Sequence, residues 1–114
     1  MSSGLGGSWE YLAAAWWFVN GASQIRVFGM KGLRTPTVNA VTKEIRFAFD
    51  GSTGASTEDA IIVCPAVGAT QALSATLLNI GGELFASVVP IGAANLQSGC
   101  LLVFKIPTVD VLST

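Results

Sequence analysis

The alternation of apolar and polar positions is sharpest from Glu44 to Asp50. Ile45, Phe47 and Phe49 fall on one side, and Arg46, Ala48 and Asp50 on the other. That period of two is the mark of a strand with one buried face. Gln24 to Phe28 repeats it, with Ile25 and Val27 opposed to Arg26. Glu58 to Cys64 enters a strand that is apolar on both faces through Ile61, Ile62 and Val63, and Pro65 stops or bulges it. Leu84 to Ile91 predicts a strand with Pro90 near its end, and Cys100 to Ile106 a last strand closed by Pro107. Thr70 to Leu78 stays open, because Leu73, Leu77 and Leu78 suit a helix while the Thr and Ser positions weaken it.

Near the N-terminus the pattern predicts one short helix over Tyr11 to Phe18. Ser8 is placed to cap it, Glu10 lies in the first turn beside the positive end of the dipole, and Asn20-Gly21 stops it. Met1 to Gly7 is rich in Gly and Ser and reads as a flexible arm. Gly29 to Asn39 reads as a loop, and Asp50 to Gly54 and Gly81-Gly82 as turns. Five strands and one helix predict an all-β class: an antiparallel β-sandwich over residues 8–114, a single domain or part of one, behind an arm at 1–7.

Composition changes the picture at one point. Charged residues make up 11% of the 114 residues, against about 25% in ordinary globular chains. From Ala60 to Phe104 the only Asp, Glu, Lys or Arg is Glu83. So little charge is unusual for a chain that stays alone in water. Burial by copies or partners resolves this, which points to a subunit of an assembly. The net charge of −1 gives no overall pull toward nucleic acid or anionic membrane. No apolar run approaches the roughly 18–20 residues that cross a bilayer as a helix, so membrane insertion is not expected. Met1 to Leu5 lacks a basic leader region and Met-Gly is absent, so neither a cleaved signal peptide nor myristoylation is expected.

The chain has no His. Ser-His-Asp and Cys-His arrangements are therefore excluded within it, and no enzyme is expected. The glycines do not form a phosphate cradle, and Asp50, Glu58 and Asp59 read as an exposed turn rather than a calcium loop. Cys64 and Cys100 lie in apolar, strand-like surroundings and read as buried free thiols; without His they do not make a usual zinc site. No cofactor or metal is expected.

Two clusters remain as contact candidates. Trp16 and Trp17, flanked by Trp9, Tyr11 and Phe18, read as a helix bracing a sheet edge or meeting another subunit, with base stacking as the sharper alternative. Arg26, Lys31, Arg34, Lys43 and Arg46 are five of the six basic residues and fall within 21 positions. They read either as a solvated face or as a contact to RNA phosphates or an acidic neighbour, strengthened by repetition across many subunits.

One stretch resembles the capsid proteins of picorna-like RNA viruses, most of all the dicistrovirus and iflavirus relatives. In Tyr11 to Val27, Phe18, Gly21 and Arg26 match a family phrase in which an aromatic-rich helix runs into the next strand. Leu84 to Pro90 is similar to a family strand ending in Val-Pro-Tyr, with Ile91 in place of the Tyr. The likeness spans Ser8 to Ile91 in order. Asn20 stands where the family has Arg, and the spacing to Arg26 is longer. The acidic maturation motif of some relatives finds no match, so no catalytic residue is carried over. The resemblance implies a jelly roll, here incomplete because the chain is shorter than the family's eight-stranded domain. It also implies the role of structural subunit of an icosahedral capsid, in the virion after assembly in the host cytoplasm. The partners implied are other capsid subunits and viral RNA. The alternatives are a phage-type decoration or tail protein, which needs no missing strands, and a ligand-binding β-sandwich module.

Overall fold

A computed structural model describes residues 10–22, 24–66, 72–92 and 95–106. The expected arm at 1–7, the Ser8 cap, Trp9, the start of the open Thr70 segment and Pro107 lie outside the described residues. Eight strands follow in order: β1 (Glu10–Val19), β2 (Ile25–Lys31), β3 (Thr37–Val38), β4 (Ile45–Ala48), β5 (Ala60–Pro65), β6 (Leu73–Ile80), β7 (Glu83–Pro90) and β8 (Gly99–Lys105). They form two antiparallel four-stranded sheets, ordered β2-β1-β8-β5 and β3-β4-β7-β6. The class is all-β, and the two sheets enclose one core as a β-sandwich.

The core is built by the inward position of each alternating pair. Ala13, Ala15 and Trp17 of β1 and Leu101 and Val103 of β8 face Ile45 and Phe47 of β4 and Ala86 and Val88 of β7. Trp17 and Phe47 meet between the sheets, with ring centroids 5.5 Å apart and planes tilted by 52°. The Trp17 indole N–H donates to the Gln97 carbonyl at 2.8 Å, so its one polar atom is satisfied inside the core. Gly99, opposite Trp17 in the β1–β8 ladder, leaves the room this needs. A Cβ there would stand 2.7 Å from the Cys64 carbonyl oxygen and 3.3 Å from Trp17 Cζ2.

The helix expected over Tyr11 to Phe18 is corrected: those residues lie within β1. Three alanines favour a helix locally, but propensity is a weak prior against tertiary burial. Each of Ala13, Ala15 and Trp17 is at most 3% exposed, while Trp16 and Phe18 between and beyond them are exposed. That division has a period of two, and no helix face reproduces it. Asn20-Gly21 is accordingly a hairpin turn and not a helix stop. Asn20 Oδ1 accepts from the backbone N–H of Ala22 at 2.9 Å and of Gln24 at 3.0 Å.

The open segment resolves as strand β6, paired along its length with β7. The expected loop at Gly29–Asn39 contains the end of β2 and the two-residue β3. Among the described residues, eight strands therefore stand where five were expected. All five expected strands are seen, β2 running three residues further than expected and the other four shifted at their ends by up to two residues. The β1–β2 ladder carries a register shift between Trp16 and Trp17, and β1–β8 one between Tyr11 and Ala13.

Replacing Trp17 by Ala should cost about 3–5 kcal/mol of folding stability in urea unfolding, the usual range for a buried large aromatic. Trp16→Ala should change the stability of the isolated chain far less, since Trp16 is 57% exposed. Equal losses at the two positions would contradict the strand assignment.

Candidate functional site

The outward side chains of the β2-β1-β8-β5 sheet form one apolar face. Strand alternation sends Ala14, Trp16 and Phe18 of β1 outward, together with Cys100, Leu102 and Phe104 of β8 and Ala60, Ile62 and Cys64 of β5. Phe28 of β2 completes it, with its ring 5.0 Å from that of Trp16 and 6.5 Å from that of Phe18. Tyr11 closes one end, stacked near Phe104 at 6.3 Å and beneath the Lys31 ammonium at 4.7 Å. Among the described residues, the charges on this face come from β2, Arg26 opposite Phe18 and Lys31 opposite Ala14. β2 is an edge strand, so the middle of the face holds none.

Tyr11, Trp16, Phe18 and Phe28 are 39%, 57%, 46% and 58% exposed. At the roughly 150–250 Å² that an aromatic residue offers, these four alone leave about 400 Å² of aromatic surface in water. Ile62 and Leu102, also exposed, extend it. With them the patch falls in the upper part of the range for the largest apolar patch of an ordinary monomer, about 300–600 Å².

The outer face of the other sheet is different. Thr37 and Arg46 stand opposite each other there, and Ser87 lies between Arg46 and Thr76. Arg46 pairs with Glu44 at 3.0 Å and lies over the Phe85 ring at 5.6 Å. The Ser87 hydroxyl donates to Glu44 Oε2. Burial raises the pKa of the Glu44 carboxyl. The hydrogen bonds from Ser87 and Arg46 and the Arg46 charge outweigh that, and hold it below its ordinary 4.5. The middle of this outer face is therefore polar, although Arg46 Nε is buried without a hydrogen-bond partner, while the partner sheet meets water through rings.

The structure scatters the five basic candidates. Arg26 and Lys31 lie on β2. Arg34 pairs with Glu83 at 3.6 Å, and Arg46 with Glu44 on the opposite sheet. Lys43 sits in the turn before β4, in the left-handed region at φ 65°. Clustering in sequence does not become one basic face among the described residues. Of the two tryptophans expected at a contact, Trp16 is on the outer face, but Trp17 is corrected to a core residue because β1 turns it inward. The cysteines are corrected too: Cys64 is exposed and Cys100 only half-buried. Sequence reasoning missed Phe28, Ile62 and Leu102 as surface groups. The signal was available at Ile61-Ile62-Val63, a strand apolar on both faces, which left one apolar side to be covered from outside.

A shallow cleft of about 250 Å³ lies between the Asp50–Ala55 turn and Gly82–Leu84. Its charged rim includes the Arg34–Glu83 pair, whose members neutralise each other. Among the described residues, no three or more of His, Cys, Asp and Glu are grouped to hold a metal ion. No helix of the described residues is long and apolar enough to cross a membrane. No family model, curated protein or solved structure matches the chain.

Because the folded-state pKa of Glu44 is depressed, its ionised form stabilises the fold above the unfolded-state value, and that contribution is lost as pH falls. Glu44→Gln should thus be less stable than the wild type near neutral pH. The gap should close as pH drops below about 4.5, read by urea unfolding across pH. A gap that does not change with pH would contradict the ion pair and hydrogen bonds assigned to this carboxylate.

Proposed function

We propose that the chain is a structural subunit that assembles with copies of itself, and that the particle it builds is an icosahedral viral capsid. The observation that carries the assembly reading is the ring-covered outer face of the β2-β1-β8-β5 sheet. Its occupant is a second copy of the chain. The four rings alone expose about 400 Å², roughly half of the 800 Å² that each partner buries in a standard interface. Interfaces between identical subunits are the more apolar class, with charge depleted at their centre. Here the centre is uncharged, and Arg26 and Lys31 stand at one rim.

The viral part of the proposal rests on the resemblance. Leu84 to Pro90 keeps its place as strand β7. The phrase around Phe18, Gly21 and Arg26 now falls on a hairpin rather than on a helix, so it supports the reading less. A sandwich of jelly-roll type is the finer fold within the same proposal. It is supported by a chain that passes from one sheet to the other after β2, β4, β5 and β7, as winding Greek-key sandwiches do.

A second reading, a decoration or tail protein of a phage-type particle, is favoured by the eight strands that already pair within residues 10–105. It uses the same face in the same way. The ligand-binding module gains the exposed rings on a strand face, which sequence placed on a helix. Two features count against it. The rings are tilted to each other by 40° and 56°, and so make no flat stacking platform. Among the described residues, the middle of the face offers sugar hydroxyls little besides the Trp16 indole N–H and the two cysteine thiols, so most would be desolvated unpaired.

In sedimentation and light scattering, the wild-type chain should run larger than a monomer. Phe28→Glu should run as a folded monomer with unchanged circular dichroism, since it sets a carboxylate against the Trp16 and Phe18 rings that a second copy would cover. A wild-type chain that stays monomeric at high concentration would sink the assembly reading. A discrete dimer or trimer, with no shell seen by electron microscopy, would favour the decoration reading.

A further inference from the structure

Cys64 and Cys100 are direct partners in the β5–β8 ladder. Opposed residues of an antiparallel pair hold their Cα atoms about 4.5–5.5 Å apart and project to the same side. That separation falls within the about 4.4–6.8 Å that a disulfide spans. Both thiols are free, Cys64 exposed and Cys100 half-buried. Burial, and then the charge and hydrogen bonding of Cys64, raise the pKa of Cys100. The two sulfurs therefore already interact, and Cys64 is the more accessible of them.

From this register we infer that Cys64 and Cys100 form a cross-strand disulfide when the chain meets a small disulfide oxidant. The Cys64 thiolate attacks one sulfur of the oxidant. A mixed disulfide forms, and one small thiol leaves. The Cys100 thiolate then attacks Cys64 Sγ, forming the protein disulfide and expelling the second small thiol. The protein gives up two protons and two electrons, and the oxidant takes up both as its two thiols. The bond ties the edge strand β5 to the central strand β8. It encloses the β6–β7 hairpin in a covalent loop, in a sheet edge whose last residue, Pro65, has no N–H to donate to the ladder. The inference rests on register alone and does not depend on the proposed function.

The test uses the full chain incubated with excess oxidised glutathione under native conditions, then alkylated and weighed intact, with peptides mapped without reduction. Because the proposed assembly would cover this face, the Phe28→Glu chain is run beside the wild type. Phe28 lies on β2, away from both cysteines. The expected result in Phe28→Glu is loss of the mass of two hydrogens, no alkylation at either cysteine, and a linked Cys64–Cys100 peptide. Cys100→Ser should instead retain a glutathione adduct on Cys64, and the oxidised chain should unfold at a higher temperature than the reduced one. Two free thiols, a stable double adduct, or a bond between chains in Phe28→Glu would each overturn the inference.

Discussion

The contact between Trp17 and Phe47 is the constraint around which the sandwich is arranged. Each ring comes from a different sheet, and each is fully enclosed. A core between two sheets is only about 10 Å thick, so an indole and a phenyl meeting there leave little space beside them. The surrounding positions are small: Ala13 and Ala15 on the same strand, Ala86 across the gap, and Gly99 in the neighbouring strand. Large and small residues thus interlock, as close-packed interiors require. The hydrogen bond from Trp17 to the Gln97 carbonyl then fixes the approach to β8. The Ser98 hydroxyl, accepting from the Val19 N–H at 2.7 Å, holds the end of β1 from the same segment.

Legibility in the sequence followed how many faces of a strand are buried. Where one face meets the core and the other meets water, as at Ile45, Arg46 and Phe47, alternation was plain. Where both faces are apolar, periodicity carries no phase. Tyr11 to Phe18 is the clearest case, since Ala14 and Ala15, or Trp16 and Trp17, look alike in composition but point to opposite sides. Alanine propensity then filled the gap and gave a helix. The same ambiguity hid the candidate site. The low charge of Ala60 to Phe104 was readable as a need for cover, yet the sequence could not say which residues needed it. The basic cluster misled in the other direction, because proximity along a chain that changes sheet after β2 and again after β4 is not proximity in space.

The two outer faces of the sandwich handle water by opposite means. On one, Glu44, Arg46, Ser87 and Thr37 provide charge and hydrogen bonds, and the hydrophobic Phe85 is covered by a guanidinium. On the other, Lys31 covers Tyr11 in the same fashion, while among the described residues the Trp16, Phe18 and Phe28 rings stand against one another. A single fold thus presents one side fit for solvent and one side that is better satisfied by another apolar surface.

The register shift beside Trp16 has a consequence for how this chain can vary in length. Val27 faces in opposite Trp17, and Gly29 lies opposite the outward Trp16. Phe28 is the extra residue between them. Strict alternation through that point would carry Gly29 inward and, two steps later, Lys31 into the core. The bulge absorbs the surplus residue, keeps the ammonium outside and sets a ring on the surface. Loss of one residue here would restore a regular ladder without reversing any side chain beyond it. β2 can therefore be shortened by one residue at this bulge and the interior would not register the change, whereas a one-residue slip at Gly99 would turn β8 inside out.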